Sequence, residues 1–353
     1  MALPRFPPAV EHRILRLACN LPPRLPRLLF GAPPQLDGQT LAPDIQALLR
    51  IAALARGDSL AEGADVADAR AQRRYKAEVV AARPRIQLAR VEEVEIPGPA
   101  GTIPARLFVP PSPAAGPLPL LVYYHGGGWV IGDLETHDGP CRFLAAHSGA
   151  QVLAVDYRLA PEHPFPAAVE DACAAYAWAT GYPGDPPLAV NRVAVGGDSA
   201  GANLAAAVCL QARGGGMPPP AMQLLIYPIT ECSRQLPSRH LFREGFLLTR
   251  RDMDYFEDRY LPAGTDRGDP RVSVLQAEDL SNLPPAYVAT AGFDPLRDEG
   301  EAYAERLREA GVAVALRRHP GLVHTFANLT AICPSARQAM LEAAGALRMG
   351  LAA

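Results

Sequence analysis

The chain has 353 residues, 49% hydrophobic and 20% charged, with a mean hydropathy of +0.01. That is enough to bury a sizeable core, and the balance excludes collagen-like, disordered and disulfide-scaffold classes. Thirty-four Lys+Arg against 37 Asp+Glu leave a net charge of −3, so no global field is expected to gather nucleic acid or an acidic membrane. No window approaches the roughly 18 apolar residues of a membrane span, and the N-terminal Met-Ala-Leu-Pro-Arg-Phe-Pro-Pro lacks the apolar stretch of a secretory signal. A cytoplasmic protein without membrane anchor or nucleic-acid partner is expected. Cys19, Cys141, Cys173, Cys209, Cys232 and Cys333 form no Cys-x-x-Cys pair and read as buried free thiols; no metal and no cofactor is implied.

Taken in chain order, residues 1–40 carry proline every few positions and are expected to form short helices lying on something. Apolar residues at helical spacing predict helices over Leu41–Arg56 and Asp65–Ala82. From about Val91 short β-rich runs begin: Val91–Ile96, Ile103–Val109, Leu118–Tyr124, Gln151–Val155, Arg192–Gly196, Met222–Tyr227, Ala286–Ala291 and Val312–Arg318. Pro-Gly-Pro-Ala-Gly joins the first two as an antiparallel hairpin. Helical patterns over Thr136–Ser148, Pro164–Thr180, Ala200–Arg213, Asp298–Gly311 and Ser335–Met349 separate the others, which implies an α/β fold, a mostly parallel eight-stranded sheet with helices on both faces. Residues 230–282 break the alternation with aromatic and charged residues and no convincing strand. They are expected to be a helical insertion that, with residues 1–90, forms a lid over one end of the sheet, leaving 91–353 as the catalytic domain.

Gly197-Asp198-Ser199-Ala200-Gly201 follows a strand and opens a helix, which is a nucleophile-elbow pattern. At so sharp a turn, the backbone around Ser199 leaves only glycine-sized room at Gly197 and Gly201. By composition the pentapeptide arises by chance about once in fifteen such chains, so its placement matters more than its spelling. His125-Gly126-Gly127-Gly128-Trp129 follows another strand, and a glycine turn exposes backbone N–H groups of the kind acyl transfer needs for a developing oxyanion. A serine also needs a base, and the base an acid. His324 and Asp294 each lie just past their own strand, in the order Ser199, Asp294, His324 expected of α/β-hydrolases. His319 competes with His324 but falls at the strand end, where a structural hydrogen bond is its expected use. Asp298 and Glu299 compete with Asp294 but are expected to open the next helix, and Asp198 reads as support for the loops. Asp156, Arg158 and Glu162, in the proline-rich run Asp156–Pro166, are expected to pair with one another. Trp129 either lines the pocket or packs on the lid.

These motifs, together with Tyr227-Pro228, Gly245-Phe246-Leu247-Leu248-Thr249 and Asp294–Gly300, resemble the hormone-sensitive-lipase-like branch of the α/β-hydrolase superfamily from about Val91 to the C-terminus. The resemblance implies an α/β-hydrolase fold with a helical cap built from 1–90 and 230–282. It implies Ser199, Asp294 and His324 as a triad, with the N–H groups of Gly127, Gly128 and Ala200 as oxyanion hole. His125, Gly126, Gly197, Asp198 and Gly201 would be supporting motif residues, and Trp129 and Phe246 would lie at the substrate pocket. The implied activity is a cofactor-independent carboxylesterase on short- to medium-chain acyl esters, with a homodimer as one expected assembly. Two departures stand out: Thr325 follows the histidine where the family often has glycine, and the N-terminal segment is longer than in compact members. Rival readings on the same motifs are a lipase, an amidase, an acyltransferase and, in another class, a small-ligand receptor.

Overall fold

The computed structural model describes residues 6–22, 24–54, 60–61, 65–111, 117–181, 192–215 and 217–352. Two short helices, α1 (Pro8–Cys19) and α2 (Arg24–Phe30), open the chain. A small hairpin of β1 (Gln35–Leu36) and β2 (Gln39–Thr40) follows, which the sequence reading did not anticipate. Its signal was present: Asp37-Gly38 turns at φ 52° and 71°, the two-residue left-handed loop that Asp-Gly favours. Next come α3 (Pro43–Leu54) and α4 (Val66–Val80), matching the predicted helices to within two residues wherever the structure describes them. The side chain of Asp65 caps α4 by accepting from Ala67 N.

Eight strands form one sheet, each on one of the predicted runs: β3 (Arg90–Gly98), β4 (Gly101–Val109), β5 (Leu120–Tyr124), β6 (Gln151–Val155), β7 (Val193–Asp198), β8 (Gln223–Ile226), β9 (Ala286–Phe293) and β10 (Val314–Val323). Their spatial order is β10-β9-β8-β7-β5-β6-β4-β3, with β4 antiparallel to both neighbours and every other pair parallel. The central strands are buried on both faces, so they are apolar throughout rather than alternating. In β5, Leu120, Val122 and Tyr124 enter one core, while Leu121 and Tyr123 enter the other.

The helices α6 (Ala167–Gly181), α7 (Ala200–Arg213) and α10 (Arg297–Glu309) close the first face, and α5 (Asp138–Ser148) and α11 (Pro334–Ala352) close the second. Between β8 and β9 the insertion carries α8 (Pro237–Leu241) and α9 (Arg250–Tyr260); Thr249 and Asp252 cap α9 reciprocally. Several strands run past their predicted ends, β9 to Phe293 and β10 to Val323 among them. His319 therefore lies inside β10, because pairing with β9 continues through a register shift between His319 and Val323 that carries the chain to His324. All six cysteines are free, and five of them are buried.

Candidate active site

Parallel strands deliver their following loops to one edge of a sheet, and here β5, β7, β9 and β10 bring His125, Ser199, Asp294 and His324 to that edge. Ser199, at the β7–α7 turn, has φ 54° and ψ −119°, a conformation that costs an L side chain energy and persists only when its surroundings impose it. Its amide donates to Ile226 O at 2.9 Å and its carbonyl accepts from Asn203 N at 3.1 Å. A Cβ on Gly201 would run into the carbonyl oxygens of Tyr124 and His125. The tight α7–β5 approach that presents Ser199 therefore requires glycine there.

His324 and Asp294 meet Ser199 in line. With its proton on Nδ1, His324 donates to Asp294 Oδ2 at 2.8 Å, and its Nε2 accepts from Ser199 Oγ at 3.0 Å. Asp294 is fully buried and its other oxygen accepts from Leu296 N at 2.9 Å. The residues that competed in sequence are engaged elsewhere. Asp298 accepts from Ser238 N and Arg297, and Glu299 accepts from Thr230 N, Glu231 N and Arg239. His319 packs edge-on against Phe326, and the structural hydrogen bond expected of it is missing at Nε2, which has no partner among the described residues.

The glycine loop lies opposite Ser199. Gly127 and Gly128 have φ 127° and 59°, and a Cβ on Gly128 would enter the Phe256 ring. Among the described residues the amides of Gly127, Gly128 and Ala200 donate to no acceptor. Asp198 fastens this loop to the elbow: its Oδ1 accepts from Tyr123 OH at 2.7 Å and Gly126 N at 3.0 Å, and its Oδ2 from Tyr227 OH at 3.3 Å. Burial alone would raise the Asp198 carboxyl, but His137 at 3.4 Å, Tyr123 and Arg73 outweigh it and hold it below the usual carboxylate range. His125 stacks between His137 and Tyr157, and burial, reinforced by His137, pushes its imidazole down to about 4. The loop is thus stabilised by one buried anion and a neutral imidazole.

The Asp156–Pro166 run departs from expectation. Arg158 forks onto Asp171 rather than its neighbours, Glu162 pairs with Arg70 of α4, and Asp156 faces His125 at 3.9 Å. Each charge ties the loop to a different element, so the run acts as a junction rather than a self-contained loop.

A cleft is lined by the glycine loop, Ser199 and His324 on the sheet side and by Leu60, Arg73, Leu248, Met253 and Phe256 on the covering side. Trp129 does both things the sequence allowed. It lines the cavity and stacks on Tyr260 of α9 with ring centroids 4.3 Å apart. Phe246 was expected at the pocket and is not on its wall: it packs against Phe242 and Phe293 in the core. Leu247 turns the chain at φ 71°, so Phe246 and Leu248 point to different places and Leu248 takes the cavity position. Thr325 holds φ 66° beside His324, the left-handed region where glycine is at no disadvantage.

Sequence reasoning missed Arg73, buried at the cavity wall and donating to Asn328 Oδ1 at 2.9 Å. Its signal was a charge on the buried stripe Ala69, Arg73, Ala77 of α4. Among the described residues no group of three His, Cys, Asp or Glu is placed to hold a metal ion. In chemical terms, a hydroxyl bonded to an imidazole that a buried carboxylate orients can lose its proton while attacking a carbonyl, and free backbone amides nearby can receive the resulting oxyanion.

Comparison with known proteins agrees with this architecture. A family model described as alpha/beta hydrolase fold matches residues 121–328. The carboxylic ester hydrolase LipN of Mycobacterium tuberculosis is 49% identical over 322 residues, covering 90% of this chain and 85% of LipN. The ethyl acetate hydrolase of Pseudomonas putida is 40% identical over 253 residues, 71% of this chain and 79% of that protein. Among solved structures, the ester-hydrolase EH1AB1 from the Lake Arreo metagenome superposes with a TM-score of 0.84 at 44% identity, covering 89% of this chain and 100% of that one. The esterase of Pyrobaculum calidifontis gives a TM-score of 0.82 at 40% identity, over 88% and 98% of the two chains. The chain belongs to the hormone-sensitive-lipase-like family of the α/β-hydrolases.

Proposed function

We propose that this carboxylesterase acts on short- to medium-chain acyl esters through a Ser199–His324–Asp294 triad and an acyl-enzyme. The observation that carries the reading is the unbroken hydrogen-bonded line from Asp294 through His324 to Ser199 Oγ, opening on a cavity beside the amides of Gly127 and Gly128, which meet no acceptor among the described residues. Ser199 Oγ attacks the ester carbonyl as its proton passes to His324 Nε2, and Asp294 stabilises the imidazolium. The amides of Gly127, Gly128 and Ala200 receive the oxyanion. The tetrahedral intermediate collapses with loss of the alcohol, which leaves with the proton from His324. Water then attacks the acyl-enzyme, its proton again taken by His324, and the carboxylic acid departs as the proton returns to Ser199.

Helices α1–α4 and residues 230–282 act as the cap, and its side chains Leu248, Met253 and Phe256 limit the acyl length. Relatives named for ester and ethyl acetate hydrolysis support this substrate class. Hydrolysis of p-nitrophenyl esters with acyl chains from about two to sixteen carbons, wild type beside Ser199→Ala, tests it. The expected result is an optimum at the short or medium lengths, with turnover lower by a factor of about 10⁴ or more in the variant. A folded Ser199→Ala protein that keeps its activity overturns the triad; hydrolysis peaking at the longest chains overturns the length assignment.

A further inference from the structure

The net charge of −3 conceals a local reversal at the N-terminal end. Of the eleven large apolar side chains exposed among the described residues, seven lie between residues 6 and 29: Phe6, Val10, Ile14, Leu17, Leu25, Leu28 and Leu29. Leu17, Leu28 and Leu29 are 72%, 79% and 62% exposed, and seven such side chains on two neighbouring helices make a patch rather than scattered single residues. Over the same stretch Arg13, Arg16, Arg24 and Arg27 are exposed, and Glu11 is the one acid. Among the described residues none of these four guanidinium groups meets a carboxylate within ion-pair distance.

The outward stripe is not a helix waiting to fold inward, because the opposite face of α1 is already committed. His12 Nδ1 lies 2.9 Å from Val79 O of α4, Cys19 is buried in the second core, and Asn20 Nδ2 donates to Ile332 O at 2.9 Å. Val10, Ile14 and Leu17, spaced i, i+4, i+7, are thereby fixed on the solvent side. On α2, Gln46 Nε2 of α3 reaches the carbonyls of Phe30, Gly31 and Ala32 and holds the helix end. Both helices rest on α3, with Leu17, Leu28, Leu29 and the four arginines exposed.

We propose that this face is a peripheral docking surface for an anionic phospholipid bilayer. An apolar stripe flanked by arginines is what an interfacial helix presents to lipid: the leucines enter the acyl boundary while the arginines stay at the anionic headgroups. A second copy of the chain is the poorer complement. A two-fold interface here would set the four arginines of one protomer against those of the other with only Glu11 to offset them. The docking is interfacial and not a span; no helix of the described residues is long and apolar enough to cross a membrane.

Flotation of the full chain with vesicles of phosphatidylcholine, alone or with about 30 mol% phosphatidylglycerol, tests the proposal. Binding to the anionic vesicles is expected to exceed binding to the neutral ones by at least about tenfold and to fall in about 0.5 M salt. Leu17→Glu/Leu28→Glu should lower partitioning by at least about tenfold, as should replacing Arg13, Arg16, Arg24 and Arg27 by Ser. Both variants change only outward-facing residues of α1 and α2, none of which lines the cavity, and should keep wild-type turnover of p-nitrophenyl butyrate; the arginine variant touches no buried group and serves if the leucine variant fails to fold. No flotation by the wild type, or equal binding to neutral vesicles, overturns the proposal. So does a dimer in sedimentation that Leu17→Glu/Leu28→Glu splits, which would assign the face to a second copy.

Discussion

The edge of the sheet and the layer that covers it are built by different rules. At the edge, geometry is imposed over very short distances: Ser199, Gly127, Gly128 and Thr325 all take backbone angles that L side chains avoid, each within a few residues of a strand end. In the covering layer the helices are ordinary, and single polar side chains reaching across the molecule hold them in place. Arg70 of α4 donates to Val130 O and Ala160 O, Asp252 of α9 accepts from Leu60 N and Ala61 N, and Asp44 of α3 accepts from Ser335. Strain is concentrated at Ser199 and the loops around it, while the helical layer over the cavity hangs on a few separable ties.

The largest effect is expected where the edge has no room. In Gly201→Ala the new Cβ meets two backbone carbonyls, of Tyr124 and His125, so either β5 or α7 must move. A loss of about 4 kcal/mol or more in urea unfolding is expected, with activity lost alongside it. A stable, active Gly201→Ala protein would mean that the elbow is not as tightly imposed as the comparison holds.

A second effect comes from the buried imidazole behind the glycine loop. His125 titrates near 4 in the fold, lowered by burial and by His137, against about 6.5 in the unfolded chain. Above pH 6.5 both states carry it neutral and the fold keeps its full stability. As pH falls, the unfolded chain takes up the proton first, and up to about 3 kcal/mol is lost by the time the folded value is reached. Between pH 7 and 5 the loss is about 2 kcal/mol, and His125→Gln should remove that part of the pH dependence. An unchanged slope in the variant would show that His125 is not the group responsible.

Cutting one tie of the covering layer should cost less. Arg70→Ala removes two hydrogen bonds to carbonyls, at 2.9 and 3.0 Å, and a fork onto Glu162. Glu162 is about half exposed, so the ion pair adds little; the carbonyl bonds dominate, at about 2 kcal/mol together. Because Val130 follows the glycine loop, turnover should fall a fewfold with KM little changed. Arg70→Lys should restore only part of this, since an ammonium cannot reproduce the fork. A fall in stability with turnover untouched would separate the layer from the loop.

The same contrast explains what could be read in the sequence. All eight strands and the meeting of Ser199, Asp294 and His324 were legible because each rests on a local pattern, an apolar run followed by a loop carrying the reactive group. Phe246 was misplaced because one left-handed residue, Leu247, decides which of the side chains on either side of it reaches the cavity, and a non-glycine at positive φ leaves no mark in composition. Asp156, Arg158 and Glu162 were paired with each other because proximity in sequence was all there was to judge by. Their partners Asp171 and Arg70 come from α6 and α4, and only the packing of those helices on the sheet brings them near. Arg73 was visible as a charge on an apolar stripe, but its destination depended on where α4 docks.

The smallest expected effect runs in the opposite direction from the others and probes the junction between the two regions. Asp156 sits at the end of β6 facing His125, and burial, then Asp133, raises its carboxyl to about 6, with Arg74 and Arg106 offsetting part of this. In the unfolded chain it ionises near 3.8, so below that value both states hold the proton and Asp156 is neutral to stability. Between about 3.8 and 6 the unfolded chain ionises first, and above pH 6 the fold carries the full cost of a partly buried anion. The side chain is 33% exposed, so solvent screening reduces that cost to about 1 kcal/mol. Asp156→Asn keeps the shape and removes the charge; it should stabilise the protein by about 1 kcal/mol at pH 7.5, with the gain vanishing toward pH 4. A variant less stable than wild type at pH 7.5 would mean that the anion holds His125 or Arg74 in place, and that the junction belongs with the strained edge rather than with the separable layer.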